Sequence, residues 1–406
     1  MNCGLLGRKL GHSYSPQIHA QLSNYSYRLF QKEPEDIEDF LRHGDFTGLN
    51  VTIPYKKTVI PYLDELSPIA RKLGAVNTVV RRADGTLYGH NTDYFGFASM
   101  VQRSGLTVSG KKVLVLGSGG ASGTAAAVMR ELGAVVVIIS RSGENHYENL
   151  SSHSDAAVIV NTTPVGMYPD TLVSPVDLSM FPNLEGVLDL IYNPARTQLL
   201  LDAEKCGIIA ENGLWMLVAQ AKAAAEAFTG TLISNAVIEK THKILRQQMG
   251  NIVLIGMPGC GKSTVGQLLA AKTGKIFADS DALIEELAGK PIPQIFAQDG
   301  EDIFRQWETK ALKQLGKQSG LVIATGGGCV TRERNQSIIR QNGIVVWLKR
   351  DIDHLPTDGR PLSQANPLSE LYRIRKPLYE AFSDLSVHNN GSPDETVLSI
   401  LNQLEE

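Results

Sequence analysis

The chain is poor in the features that mark extracellular, fibrous or membrane-spanning proteins. Its 406 residues include only 4 Cys (Cys3, Cys206, Cys260 and Cys329), widely spaced and without a C-x-x-C pair, which argues against a disulfide framework and a cysteine zinc site. No apolar run approaches the roughly 18 residues that cross a bilayer, and Met1 to Gly11 lacks the apolar stretch of a signal peptide. Neither sign of charge dominates: 39 basic against 42 acidic residues leave a net charge of −3, without the basic field that draws a protein to nucleic acid or an anionic membrane. With 38 Gly and 18 Pro the chain is also too ordinary for disorder or a fibrous repeat. These absences predict a cytoplasmic protein whose partners are small molecules, with no nucleic acid and no membrane among them. They set no oligomeric state.

What is present is globular: 43% hydrophobic residues, and a length that suggests two or three domains. Two apolar, β-branched strands run straight into glycine-rich turns, each followed by a helical pattern, as a phosphate-binding strand-turn-helix requires. The first is Lys112 to Leu116, then Gly117, Ser118, Gly119, Gly120, Ala121, Ser122 and Gly123, with a helix expected over 124–132. The second is Asn251 to Ile255, then Gly256 to Gly261, Lys262, Ser263 and Thr264, with a helix over 264–273. Between them an Ala-rich helix, 216–228, and a polar helix, 234–249, end at Gly250, a natural helix stop that places the main boundary at about 245 to 250.

The second turn spells G-x-x-x-x-G-K-S, in which backbone N–H groups wrap phosphates, Lys262 meets the β/γ-phosphates and Ser263 holds Mg²⁺. Behind it follow Asp279-Ser-Asp281, Gly300 to Glu308 with Arg305, Thr325-Gly-Gly-Gly328, Arg360-Pro-Leu and Arg375-Lys-Pro-Leu-Tyr379. Taken singly, Arg305 and Glu308 read as a surface ion pair three apart on a helix, and Asp279 and Asp281 as caps of a helix starting near Ala282. Taken in this order, the set resembles shikimate kinase over 251–406. The resemblance implies ATP held by Gly259, Cys260, Gly261, Lys262, Ser263, Thr264 and the lid arginine Arg360, and Mg²⁺ near Ser263 and Asp279. It implies shikimate held by Asp281, Arg305, Gly327 and Arg375. Arginines suit a carboxylated acceptor, because a guanidinium binds a carboxylate bidentately. One departure stands out: Asp351 to Gly359 has no Arg or Lys before Arg360, where family members often carry a second basic lid residue.

In the first half, Gly117-x-Gly119-x-x-Ser122 is a near match to the dinucleotide fingerprint G-x-G-x-x-G/A. The next strand, 134–139, ends in Ser140-Arg141-Ser142 rather than an acidic residue, favouring the 2′-phosphate of NADP. Around it stand His12-Ser13-Tyr-Ser15-Pro16, Asn50 to Lys56, Gly74 to Thr78, Gly89 to Asp93, Asn161 to Met167, Asp189 to Pro194 and Gly213 to Gln220. Alone, Lys56 would be an exposed charge past a turn, and Asp93 the N-cap of a helix over 94–102. Together and in this order, the seven blocks resemble shikimate dehydrogenase over residues 1 to about 245. The resemblance implies a catalytic pair, Lys56 and Asp93, and substrate held by Ser13, Ser15, Thr52, Asn77, Asp93, Tyr192 and Gln220. It implies NADP(H) bound by the 117–121 turn and Ser140, Arg141 and Ser142, with Leu190 and Gly213 on the nicotinamide side. Asn145 stands where NADP-dependent relatives usually carry a second basic residue, which weakens NADP selectivity, and the polar stretch 142–154 is abbreviated.

The expected architecture is therefore α/β: a substrate lobe (1–105 and 213–248) plus a Rossmann-like NADP lobe (106–212), then a P-loop kinase domain with a parallel sheet (251–406). The function implied is bifunctional, NADPH reduction of 3-dehydroshikimate to shikimate and ATP-dependent phosphorylation of shikimate. Two alternatives are a quinate/shikimate dehydrogenase using NAD fused to the kinase, and a degenerate dehydrogenase that regulates the kinase.

Overall fold

The computed structural model describes residues 1–11, 13–355 and 368–405. The chain divides into two compact units, one of Met1–Met167, Val173–Tyr192 and Leu199–Ile244, the other of Tyr168–Leu172, Asn193–Gln198 and Leu245–Glu406. Arg360, expected as a lid arginine, lies outside the described residues.

The first unit carries two sheets. One comprises β1 (Asn2–Gly7), β2 (Ser26–Gln31), β3 (Gly48–Val51), β4 (Glu65–Leu66), β5 (Thr78–Arg81) and β6 (Leu87–His90), in the order β2-β1-β3-β5-β6-β4. It is mixed: β1 pairs in parallel with β2 and β3, whereas β5 runs antiparallel to β3 and β6. β1 and β3 are buried almost throughout, as the continuous apolar strands of a covered sheet must be.

The second sheet is wholly parallel. It comprises β7 (Lys112–Leu116), β8 (Val135–Ile139), β9 (Val158–Asn161), β10 (Gly186–Asp189) and β11 (Ile209–Asn212), in the order β11-β10-β9-β7-β8. Strand order reverses between β7 and its neighbours, and ligands of such sheets bind at the carboxyl ends of the strands around that switch point. The abbreviated 142–154 stretch forms only a 3-10 segment, Tyr147–His153, before β9. The helix after β7 begins at Gly120, four residues earlier than the pattern predicts, because the glycine turn itself supplies the first helical residues. Helices Asp93–Ser104 and Leu214–Thr229 meet closely at Gly96, where an added Cβ would lie 2.7 Å from the Met216 carbonyl oxygen.

The second unit is built on a parallel sheet of β12 (Asn251–Ile255), β13 (Ile276–Asp279), β14 (Leu321–Ala324), β15 (Gly343–Lys349) and β16 (Leu385–His388), in the order β13-β14-β12-β15-β16. Its central strand β12 is entirely buried, consistent with an apolar strand flanked by β14 and β15. The short segments 168–172 and 193–198 are held inside this unit by its buried polar residues. Asn342 accepts from the Ala195 N–H at 2.8 Å, Gln341 donates to the Thr171 carbonyl at 2.6 Å, and Arg196 donates to the Gly343 carbonyl. Gln341 and Asn342 are 3% and 8% exposed, so without such partners each would leave buried polar atoms unsatisfied.

Candidate functional sites

Lys56 follows β3 on a turn that its neighbours fix. Tyr55, 1% exposed, donates its hydroxyl to the Lys32 carbonyl at 2.6 Å, and Val76 donates its N–H to the Lys56 carbonyl at 2.7 Å. The ammonium is thereby aimed at Asp93, 2.6 Å away. Asp93 is the first residue of its helix and Thr92 precedes it as N-cap, so the Asp93 carboxylate is spent on Lys56 rather than on capping. The pair is partly buried, with side chains 31% and 17% exposed.

Beside the pair lies a hydrogen-bonded set that holds the Asn77 and Gln220 amides. Asn77 donates to Thr92 Oγ1 at 3.1 Å and to Gln220 Oε1 at 3.4 Å, and its own Oδ1 accepts from the Thr92 N–H at 2.7 Å. Thr92, 2% exposed, is the hinge of this set and received no role from sequence reasoning, although it adjoins Asp93. Thr52 is fixed by its N–H to the Leu6 carbonyl at 2.9 Å. Ser13 Oγ accepts from the Ser15 N–H at 3.2 Å, and Tyr192 meets Tyr14 edge-on at 6.2 Å between ring centroids. The structure therefore joins Lys56 with Asp93, and Asn77 with Gln220, whereas Ser13, Ser15 and Tyr192 are organised by separate local contacts.

At the end of β7, Gly117 has φ +110°, and an added Cβ would lie 2.8 Å from Thr162 Oγ1. Beyond it Gly119, Gly120 and Gly123 face open space, and the helix Gly120–Glu131 begins there. Free N–H groups at a helix start, with no side chain in front of them, suit a phosphate; the cradle thus fits the pyrophosphate of a dinucleotide. Ser140 is buried and donates to the Ser142 carbonyl at 2.8 Å, while Arg141 is exposed on the same loop. Asn145 is engaged by His153 at 2.9 Å. Leu190 and Gly213 come together so closely that any side chain on Gly213 would strike the Leu190 carbonyl oxygen.

In the second unit the loop after β12 takes positive φ at Gly256, Gly259 and Gly261, which curls the chain around a space for phosphate. The helix Lys262–Thr273 starts within the motif, two residues before the expected 264, so its first N–H groups face that space. Lys262 is 8% exposed, its ammonium donating to the Gly256 and Met257 carbonyls at 2.9 Å each. Ser263 and Thr264 are exposed, and Ser263 donates to Asp279 Oδ2 at 2.9 Å. A hydroxyl beside a carboxylate is an oxygen donor set that suits Mg²⁺. Cys260 is buried, and its carbonyl accepts from Asn389 at 2.6 Å; Asn389 received no role from the sequence, because it lies on no recognised motif.

A second cluster of this unit gathers Asp281, Arg305, Glu308, Arg375 and the glycines 326–328. Asp279 caps the helix Ser280–Ala288, which starts two residues before Ala282, and accepts the Asp281 N–H at 2.9 Å. That frees the Asp281 carboxylate to point toward Gly326, whose added Cβ would meet it at 2.8 Å and Glu308 at 3.0 Å. Arg375 and Tyr379 both donate to the Gly327 carbonyl, and Pro258 of the phosphate loop packs on the other side of Gly327.

Arg305 and Glu308 are not the surface pair that their spacing alone suggested: they are 4% and 0% exposed, bonded at 2.9 Å. The helix Glu301–Gly316 turns this face inward against the 326–328 run. Arg305 also donates to Glu301, whose side chain is 53% exposed and thus the partner most easily replaced by an incoming carboxylate. Burial, together with Asp279, pushes the Asp281 carboxyl above the usual carboxylate range. Burial pushes Glu308 up to about 6 against the pull of Arg305, from 4.5. The folded chain therefore holds a proton on Glu308 that the unfolded chain releases, a stabilisation present below pH 4.5 and lost as pH rises through about 6. In Glu308→Gln that fall is absent; thermal denaturation of parent and variant from pH 4.5 to 7 is expected to show melting temperatures whose difference changes across the window, and a constant difference would contradict this assignment.

Two nucleotide-type loops, one in a unit that also holds a lysine–carboxylate pair and one followed by a buried arginine cluster, define a chain with two enzymatic α/β units. The shikimate dehydrogenase substrate binding domain model matches residues 5–79, and the shikimate kinase model matches residues 258–405. The shikimate dehydrogenase (NADP(+)) of Clostridium perfringens strain 13 is 34% identical over 265 residues, 60% of this chain and 97% of that protein. Among solved structures, shikimate dehydrogenase 1 from Peptoclostridium difficile is 38% identical with a TM-score of 0.55, covering 60% of this chain and 97% of that one. A chorismate mutase/shikimate 5-dehydrogenase fusion protein from Clostridium acetobutylicum is 36% identical with a TM-score of 0.58, covering 61% and 97%. Over this part the chain belongs to the shikimate dehydrogenase family, and a shikimate kinase domain follows it.

Proposed function

We propose that this chain is a bifunctional enzyme of the shikimate pathway, reducing 3-dehydroshikimate to shikimate with NADPH and phosphorylating shikimate with ATP. The carrying observation is that one chain matches both a shikimate dehydrogenase model and a shikimate kinase model; the Lys56–Asp93 and Arg305–Glu308 pairs support the reading.

In the first unit NADPH supplies the hydride when bound. Lys56 holds its proton next to Asp93 and delivers it to the oxygen of the ketone being reduced, where negative charge develops. Asp93 orients the ammonium, while Asn77 and Gln220, locked through Thr92, present amide groups to the substrate hydroxyls, with Ser13, Ser15, Thr52 and Tyr192 completing the binding set. The dinucleotide is held by Gly117, Ser118, Gly119, Gly120 and Ala121, with Ser140, Arg141 and Ser142 at the adenosine ribose and Leu190 and Gly213 at the nicotinamide. The geometry of the Lys56–Asp93 pair speaks against a degenerate regulatory module.

In the second unit ATP supplies the phosphoryl group and Mg²⁺ shields its charge. Lys262, held here by two loop carbonyls, would meet the phosphates, and Ser263 and Asp279 would hold the metal. Arg305 and Arg375 grip the acceptor's carboxylate, Gly327 shapes the wall, and Asp281 accepts hydrogen bonds from the acceptor hydroxyls and takes the proton of the attacking one. Gly259, Cys260, Gly261, Thr264 and Arg360 complete the nucleotide site.

The protein is proposed to work in the cytoplasm on small molecules only. A coupled assay of purified protein with 3-dehydroshikimate, NADPH and Mg-ATP is expected to show NADPH oxidation followed by ADP release; consumption of neither nucleotide would falsify the reading. Asn145, tied to His153 where a second basic residue would stand, favours a second reading, a quinate/shikimate dehydrogenase using NAD, which comparing kcat/KM for both cofactors and both acids decides.

A further inference from the structure

β15 ends beside the phosphate loop. The Leu348 carbonyl lies so near Gly256 that an added Cβ there would sit 2.6 Å from it, and two residues on, Arg350 Nη1 lies 3.8 Å from the Cβ position of Gly261. The neighbouring lysine is committed elsewhere: Lys349 donates to Ser386 Oγ at 2.9 Å and lies over the Trp347 ring. Arg350 is only half-buried, yet its Nε is buried without a hydrogen-bond partner. Among the described residues no carboxylate pairs with its guanidinium.

An unneutralised guanidinium against a loop whose N–H groups face phosphate is placed for an anion, and its five donors match phosphate oxygens. The chain also lacks any Arg or Lys from Asp351 to Gly359. We propose that Arg350 is a nucleotide-binding residue of the kinase unit, donating to the phosphates of a nucleoside di- or triphosphate from the carboxyl end of β15 and supplying a second cation besides Arg360. Asn389 stands on the same side of Gly261, its Nδ2 2.6 Å from that Cβ position and donating to the Cys260 carbonyl, so the guanidinium meets the loop beside an amide that is already engaged.

This proposal rests on the kinase reading of the second unit. The test is calorimetric titration of the full-length protein with Mg-ADP, at saturating NADP so that the first unit is blocked. Loss of one charge-assisted hydrogen bond predicts a roughly tenfold weaker Kd for Arg350→Gln. Kinase KM for ATP is expected to rise in parallel while KM for shikimate stays at the parent value. Arg350→Lys, which keeps the charge, is expected to recover most of the affinity. A Kd for Arg350→Gln within twofold of the parent overturns the proposal, as does equal impairment of the Gln and Lys variants, which would assign Arg350 to packing. Failure of the parent itself to bind Mg-ADP overturns instead the kinase reading.

Discussion

Replacing Lys56 by alanine is expected to lower the dehydrogenase kcat by about 10²-fold or more while kinase turnover stays at the parent rate. In the proposed mechanism the ammonium protonates the developing alkoxide, and Asp93, at 2.6 Å, orients it. Truncation removes the proton donor and leaves a partly buried carboxylate facing the reacting carbonyl, so charge that was stabilised becomes charge that repels. The residues proposed for phosphoryl transfer belong to the other compact unit, so kinase turnover is expected to be insensitive. Steady-state assays of both reactions on one preparation decide the matter: an unchanged dehydrogenase kcat removes Lys56 as proton donor, and parallel loss of both activities indicates damage to the fold.

The converse substitution, Lys262→Ala, is expected to reduce kinase kcat by about 10²- to 10³-fold and to spare hydride transfer. Phosphoryl transfer is catalysed mainly by positioning and charge neutralisation, so a buried cation in the phosphate loop carries a large share of it. Lys262 is 8% exposed and donates to two loop carbonyls, and in the proposed mechanism it exchanges them for phosphate oxygens. ADP release measured by coupling tests this; retention of more than a tenth of the parent rate would contradict the role given to Lys262.

Much of the site was legible in the residues because the chemistry depends on short, contiguous motifs. A loop such as 256–264 contains its own geometry: the glycines permit positive φ, the following helix aims its N–H groups, and Lys262 and Ser263 follow in register. The same holds for 117–123, where open space in front of Gly119 and Gly120 comes from the absence of side chains. Helix starts were misjudged by two to four residues at Gly120, Lys262 and Ser280, since a glycine turn or an Asp cap gives no apolar period from which to date the first turn.

By itself the sequence determined two strand-turn-helix nucleotide loops, the α/β class, and the pairing of Lys56 and Asp93 as candidates, because each rests on local backbone chemistry or on blocks of fixed order. Only the tertiary structure decided the burial of Arg305 and Glu308, the role of Thr92 in locking Asn77 to Gln220, the closure of the loop by Asn389, and the capture of residues 168–172 and 193–198 by the second unit's buried amides. These depend on which faces of separate elements meet. An i, i+3 ion pair has the same spacing on a surface helix as on one turned toward the interior, so burial, and with it the carboxyl pushed up to about 6, emerges only when the helix is packed.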